Sequence, residues 1–209
     1  MKVFTRAEAM DCGDTIARIL TAESQAIQHI PIVTLVEQSP LVCQLLLSCR
    51  GKVVLTGMGK NGHIASRVAA TLSSTGTPAV FMHPGEAAHG DLGMLCVSDV
   101  LMALSNSGKT REVCETAERV QAFFPDVPIV VVTGERTSPL ALLADHVLWY
   151  GAVTEPCPLG LTPSASLAAM SALLDGIALA VMQARGWTTE QWSHFHHQGY
   201  LGQKARGKV

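Results

Sequence analysis

Apolar residues along the chain fall into two kinds of run. Near the start they recur at helical spacing: Ile16, Ile19, Leu20 and Ile27 share one face of a helix predicted over residues 9–29, and a second helix is predicted over 35–49. From residue 52 the pattern changes to short, mostly apolar runs at 52–56, 79–82, 100–104, 129–133 and 146–149. Apolar at both parities, such runs predict strands buried on both faces of a parallel sheet. Between them lie helical stretches at 61–74, 110–124 and 139–144, followed by a long apolar helix at 163–184 that Gly186 ends. Alternating strand and helix predict an α/β fold, a doubly wound, mostly parallel five-stranded sheet flanked by helices. Ligands of such sheets bind beyond the carboxyl ends of the strands, so the chemistry is expected in the loops that follow each strand.

Those loops carry reactive or anion-binding residue types. After the first strand, Gly57-Met58-Gly59-Lys60-Asn61-Gly62 has GxGxxG spacing. A dinucleotide site would also need an acidic residue at the end of the second strand, where the chain reads Met82-His83-Pro84, so a tight strand-to-helix turn is the simpler reading. Lys60 nevertheless brings a cation to the sheet edge. After the third strand, Ser105-Asn106-Ser107-Gly108-Lys109-Thr110 runs into a helix. Hydroxyls, free backbone N–H groups and the positive end of the helix dipole would converge there on an anion, although Ser and Thr are also ordinary caps. The 83–91 loop, His83-Pro84-Gly85-Glu86-Ala87-Ala88-His89-Gly90-Asp91, offers imidazoles and carboxylates that could be metal ligands, acid–base groups or a well-bonded turn. No HExxH or CxxC spacing singles out a metal. Glu112 lies in the first turn of the next helix, where the dipole favours a carboxylate in any case. Glu155 follows the last strand, and His194, His196 and His197 fall beyond the long helix.

Composition narrows the picture. The 209 residues read as one domain, 1–209, without a linker or repeat. A net charge of −2 with no stripe of Lys or Arg argues against nucleic acid as a partner. The first residues have no apolar signal core, and the longest apolar stretch, 167–182, is interrupted by Ser171 and Asp175. A soluble cytoplasmic chain with no membrane partner is therefore expected. Six cysteines without metal-ligand spacing read as reduced, mostly buried thiols. Hydrophobic residues make up 48% and charged ones only 15%, more apolar surface than a small domain hides, so helix faces are expected to bury against other subunits.

Taken together, Gly57-Met58-Gly59-Lys60, the run from His83 through Asp91-Leu92-Gly93-Met94, Ser105-Asn106-Ser107-Gly108 and Cys157-Pro158-Leu159-Gly160-Leu161 resemble the sugar isomerase (SIS) domain of arabinose 5-phosphate isomerases. The resemblance spans nearly the whole chain and is most specific from Ser74 to Met94. It implies cofactor-free interconversion of D-ribulose 5-phosphate and D-arabinose 5-phosphate, and a homotetramer whose active sites neighbouring subunits complete. Carried over position by position, it implies catalytic roles for Lys60, His89, Glu112, Glu155 and His196, and a phosphate site at Ser105, Asn106, Ser107 and Thr110, with no metal. Which of Glu112, Glu155, His89 and His196 is the base stays open at this stage. Isomerisation through an enediol needs a proton shuttle, a donor for the developing oxyanion and a grip on the phosphate, and these residue types supply all three. Another sugar phosphate, or a non-catalytic phosphosugar sensor, are the alternatives; a sensor would need only the phosphate loop. Family members usually continue into a regulatory pair of CBS modules; with the sequence read to Val209, that layer of control is expected to be absent. Three departures bear on the sugar more than on the reaction: Lys109 stands for the family's Glu, Pro163-Ser164-Ala165-Ser166 for Pro-Thr-Ser-Ser, and His196-His197-Gln198-Gly199 for His-Pro-Gly-Gly.

Overall fold

The computed structural model of the chain describes residues 6–208; the first five residues of the segment read as lacking a signal core, and Val209, lie outside the described residues. Five strands, β1 (Val53–Gly57), β2 (Ala79–Met82), β3 (Val100–Leu104), β4 (Ile129–Thr133) and β5 (His146–Trp149), form one sheet in the order β2-β1-β3-β4-β5. All four pairings are parallel, so the sheet is wholly rather than mostly parallel. The central strands β1, β3 and β4 are buried at every position, as continuous apolar runs covered on both faces must be. The edge strands β2 and β5 are only partly buried.

Helices α1 (Arg6–Gln28), α2 (Ser39–Ser48), α3 (Lys60–Ser74), α4 (Pro84–Ala87), α5 (Arg111–Phe123), α6 (Ala165–Ala184), α7 (Thr189–Phe195) and α8 (Gly199–Ala205) surround the sheet. Alternate strand residues feed two cores. On one face Leu55, Met102 and Val132 pack against Leu46 of α2, Val68 of α3 and Met170 and Leu174 of α6. On the other, Val54, Leu101 and Val131 pack against Val113, Ala117 and Val120 of α5. Each such side chain removed from water stabilises the fold by ~1.5–3 kcal/mol before chain entropy is counted. By length and composition, α6 could cross a membrane, contrary to the expectation that its stretch falls short. Its apolar character has a use inside the domain: Ala169, Met170, Leu173, Leu174, Ile177, Ala178 and Val181 are all core residues.

Several expectations are corrected. Residues 139–144 form only a 3-10 turn, Ala141–Leu143, because the chain must return to β5 within a few residues. The second predicted helix begins as a π-helical turn, Thr34–Gln38, in which the buried Thr34 hydroxyl donates to the Trp149 carbonyl (2.6 Å). None of the six thiols is fully buried: Cys12 and Cys96 are exposed, Cys43, Cys49 and Cys114 lie half-buried at the margins of the two cores, and Cys157 is half-buried in a loop. Helix α1 packs along α6, yet Ile16, Leu20 and Ile27 of its predicted apolar face point outward.

Candidate functional site

The chain runs from β1 to β2 on one side and then places β3 on the other side of β1. The crevice beyond the carboxyl ends of β1 and β3 is thus the topological switch point, where open α/β sheets bind ligands. Gly57 pairs with Leu104 across it, so the turn carrying Lys60 and the serine loop are neighbours.

The GxGxxG spacing is explained by this turn. A Cβ on Gly62 would come within 2.6 Å of the Gly57 carbonyl, and Gly59 has φ +59°. Lys60 opens α3 with its side chain in solvent. Beside it, the serine loop is built in two layers. Ser105, almost fully buried, shapes the loop: its hydroxyl accepts from the Gly108 N–H (3.1 Å) and lies 3.0 Å from the Thr110 hydroxyl. Gly108 needs φ +60°, and a Cβ there would run into the Ser138 hydroxyl. Ser107 is exposed and accepts from the Lys109 N–H (3.2 Å). Thr110 precedes α5 without a capping bond from its side chain, which leaves the helix N-terminus facing the loop. The Asn106 carbonyl accepts from the Gly134 N–H (3.0 Å) and the Thr133 hydroxyl (3.1 Å).

The remaining candidates divide between the two sides of the sheet. Glu112, half-buried on α5, shares a cleft of about 540 Å³ with Pro84, Ala87 and Ala88 of the 83–91 segment. Its carboxylate accepts no hydrogen bond from the described residues. His89, exposed, lies near the end of that segment, while His83 is taken up as the cap of α4, accepting from the Gly85 N–H (3.2 Å). Among the described residues no three His, Cys, Asp or Glu side chains gather as a ligand set.

Glu155 lies on the other side, where α6 runs alongside α3 with Arg67 paired to Asp175 (2.8 Å). Its carboxylate caps α6, accepting from the backbone N–H groups of Ser164 (2.7 Å), Ala165 (2.9 Å) and Ser166 (3.2 Å), and from the Ser166 hydroxyl. This is the bond pattern expected of a fixed anchor at a helix N-terminus.

Close by, the Cys157 thiol is lowered to about 6 by the Thr162 hydroxyl and by the N–H groups of Thr162, Leu159 and Leu161. Three of the four buried polar atoms without a protein partner among the described residues, Thr56 Oγ1, Asn61 Oδ1 and Ser164 Oγ, sit at this same sheet edge. Buried polar atoms are normally paired, so each of these is an exception within the fold.

His196 is not brought to this edge. Arg185, at the end of α6, donates to the Thr77 hydroxyl and the Leu46 carbonyl, and Trp187 lies against Gly76, just before β2. Phe195 packs on Trp187, and the His196 ring stacks on Trp192 with centroids 3.7 Å apart. His196 therefore sits at the amino edge of the sheet, a strand length of about 16 Å or more from the crevice.

Sequence reasoning also passed over Tyr150. It follows β5 at the carboxyl edge, the position that singled out the other candidates, and its hydroxyl donates to Asn106 Oδ1 (2.6 Å).

An open parallel sheet with a hydroxyl-rich loop and an exposed lysine at its switch point defines a doubly wound α/β domain. More particularly, the chain belongs to the SIS domain family, whose sequence profile matches residues 46–180. Over 164 residues, 78% of this chain, it is 45% identical to arabinose 5-phosphate isomerase KdsD of Escherichia coli K12, of which the match covers 49%. The chain spans about half the length of that curated relative. A Bacteroides fragilis protein is 39% identical, with a TM-score of 0.85 over 90% of this chain and 98% of that one. The E. coli CFT073 protein c3406, solved in complex with arabinose 5-phosphate, is 32% identical, with a TM-score of 0.84 over 92% of this chain and all of that one.

Proposed function

We propose that this chain is a cofactor-free aldose–ketose isomerase that interconverts D-arabinose 5-phosphate and D-ribulose 5-phosphate through an enediol. The observation that carries the reading is the pairing of the Ser105–Thr110 loop with Lys60 at the β1/β3 switch point, in a chain 45% identical to an arabinose 5-phosphate isomerase. Asn106, Ser107, Thr110 and the start of α5 grip the phosphate, and that grip orients carbons that do not themselves touch the loop. Lys60 offsets the charge that develops on the enediolate oxygen. Glu112 is the better base of the two carboxylates, because its oxygens are uncommitted whereas those of Glu155 hold the start of α6. Glu155 positions the wall of the site, and His89, beside the Glu112 cleft, serves ring opening.

His196 acts in a neighbour's site. Its place at the amino edge, together with exposed Ile16, Leu20, Ile32, Leu35 and Leu179, supports a homotetramer with shared active sites. Free thiols and a phosphorylated metabolite as substrate fit the cytoplasm.

The test is proton NMR in D2O with ribulose 5-phosphate and a panel of other ketose phosphates. Deuterium entering beside the carbonyl, with a new anomeric signal, is the expected result and identifies the aldose. Saturable binding without exchange of any sugar would replace this reading with that of a phosphosugar sensor.

A further inference from the structure

Between the serine loop and the start of α6 lies a side chain that the isomerase chemistry above leaves unused. Tyr150 is 1% exposed, and its hydroxyl sits 2.6 Å from Asn106 Oδ1. That distance suits O–H···O, where a carboxamide N–H donating to a phenol would sit nearer 2.9 Å, so the phenol donates and the amide oxygen accepts. The Asn106 backbone is held as firmly. Its carbonyl accepts from Gly134 and Thr133, the Gly134 carbonyl accepts from the Trp149 indole (2.9 Å), and the Tyr150 N–H donates to the Thr133 carbonyl (3.1 Å). A Cβ on Gly134 would lie 2.7 Å from Asn106 Oδ1, so any side chain there would push the carboxamide out of place.

With Oδ1 turned inward to Tyr150, the amide nitrogen must point the other way. Nδ2 has no partner among the described residues, on a loop whose neighbours are Ser105 and Ser107. Burial, with the Glu155 charge adding to it, keeps the Tyr150 phenol protonated well above its usual range, so it stays a donor at any working pH.

We propose that Tyr150 is a positioning residue of the sugar-phosphate site, locking the Asn106 carboxamide so that Nδ2 presents its N–H donors to the anionic oxygens of the ligand. A free carboxamide flips between two faces of similar energy, and half of its orientations would turn an oxygen lone pair toward a phosphate. The phenol removes that alternative. Because Tyr150 also borders the cleft that holds Glu155, one buried ring ties the phosphate loop to the wall formed by the start of α6.

This inference rests on reading the Ser105–Thr110 loop as a sugar-phosphate site, and the experiment separates the two. Tyr150→Phe removes one oxygen and keeps the ring in the core. Calorimetric titration with arabinose 5-phosphate and with inorganic phosphate is expected to show about tenfold weaker binding of both, and kinetics a matching rise in KM with kcat within about twofold. Asn106→Asp keeps the acceptor for Tyr150 but replaces the donor with an anion, so it weakens binding further. In the Asn106→Ala background, Tyr150→Phe should add nothing, a non-additivity that a purely structural tyrosine would not produce.

Unchanged binding by Tyr150→Phe, or a penalty that persists in full without Asn106, overturns the proposal while leaving the site itself standing. A wild-type chain that binds no sugar phosphate overturns both. Should Tyr150→Phe fail to fold, the 15N-labelled Asn106 carboxamide of the wild-type chain supplies the readout. Its two NH2 resonances should shift on saturation with sugar phosphate, and their indifference would sink the idea.

Discussion

Two carboxylates that look alike in sequence are put to different uses by their hydrogen bonds. Glu155 accepts three backbone N–H bonds and one hydroxyl, whereas Glu112 stands open to a cleft. Glu112→Gln is therefore expected to lower kcat about 100-fold or more with little change in the urea midpoint. Glu155→Gln turns a donor toward N–H groups that need acceptors, and should cost ~1–2 kcal/mol of stability along with activity. Equal loss of stability in both variants would contradict this division. Cys157 offers a second check at this scale. Its thiolate form is favoured by the Thr162 hydroxyl and the surrounding N–H groups, which pull it down to about 6. Since the thiolate is the nucleophile, alkylation by iodoacetamide should reach half its maximal rate near pH 6, and Thr162→Val should move that midpoint upward.

Among the elements, the strands were the most legible because β1, β3 and β4 are buried at every position and so are apolar except at Thr56 and Thr133 near their carboxyl ends. The first helix misled: apolar spacing located it, but periodicity says which residues share a face and not which way the face points. The short α7 was missed although Thr188-Thr189-Glu190-Gln191 is a capping box, with the Thr188 hydroxyl accepting from the Gln191 N–H and the Gln191 side chain accepting from the Thr188 N–H. At the amino edge of the sheet, Asp99 ties β1 to β3, accepting from Lys52 Nζ (2.6 Å), the Lys52 N–H (2.8 Å) and the Cys96 N–H (2.8 Å). Burial works to raise its pKa, but these bonds outweigh burial and hold the carboxyl below its usual range. A depressed carboxylate contributes stability that is whole above its unfolded pKa, near 4, and is lost as pH falls through the folded value. Asp99→Ala should therefore cost ~3 kcal/mol at pH 7, and urea melts should show the gap from wild type narrowing below about pH 4. A gap constant with pH would rule this out.

At the scale of the whole molecule, the one chain holds most of the candidate site but not all of it. Lys60 and the serine loop meet at the carboxyl edge, while His196 is fixed at the amino edge by Trp192, Trp187 and Arg206. If neighbours share sites, mixing Lys60→Ala and His196→Ala chains after co-refolding should restore activity that neither has alone, because hybrid sites regain both groups. No recovery, with mixed oligomers verified by mass, would place His196 outside catalysis. Light scattering should find tetramers, and a charge on the exposed apolar face of α1, as in Leu20→Glu, should shift them toward smaller species.

The sequence by itself determined the strand–helix alternation, the parallel sheet and the loops at its carboxyl edge that hold the candidate residues, because burial on both faces and strand-to-helix turns impose local residue patterns. Motif resemblance pointed to the family on the same local grounds. Only the tertiary structure decided the roles within those loops: that Ser105 bonds inward to Gly108 and Thr110 while Ser107 is exposed, that Glu155 anchors α6, that His83 caps a helix, that His196 lies at the far edge, and that Tyr150 reaches Asn106. Such roles depend on contacts between residues far apart in the chain, 44 positions for Tyr150 and Asn106, and no local spacing encodes where two separate strand ends will meet.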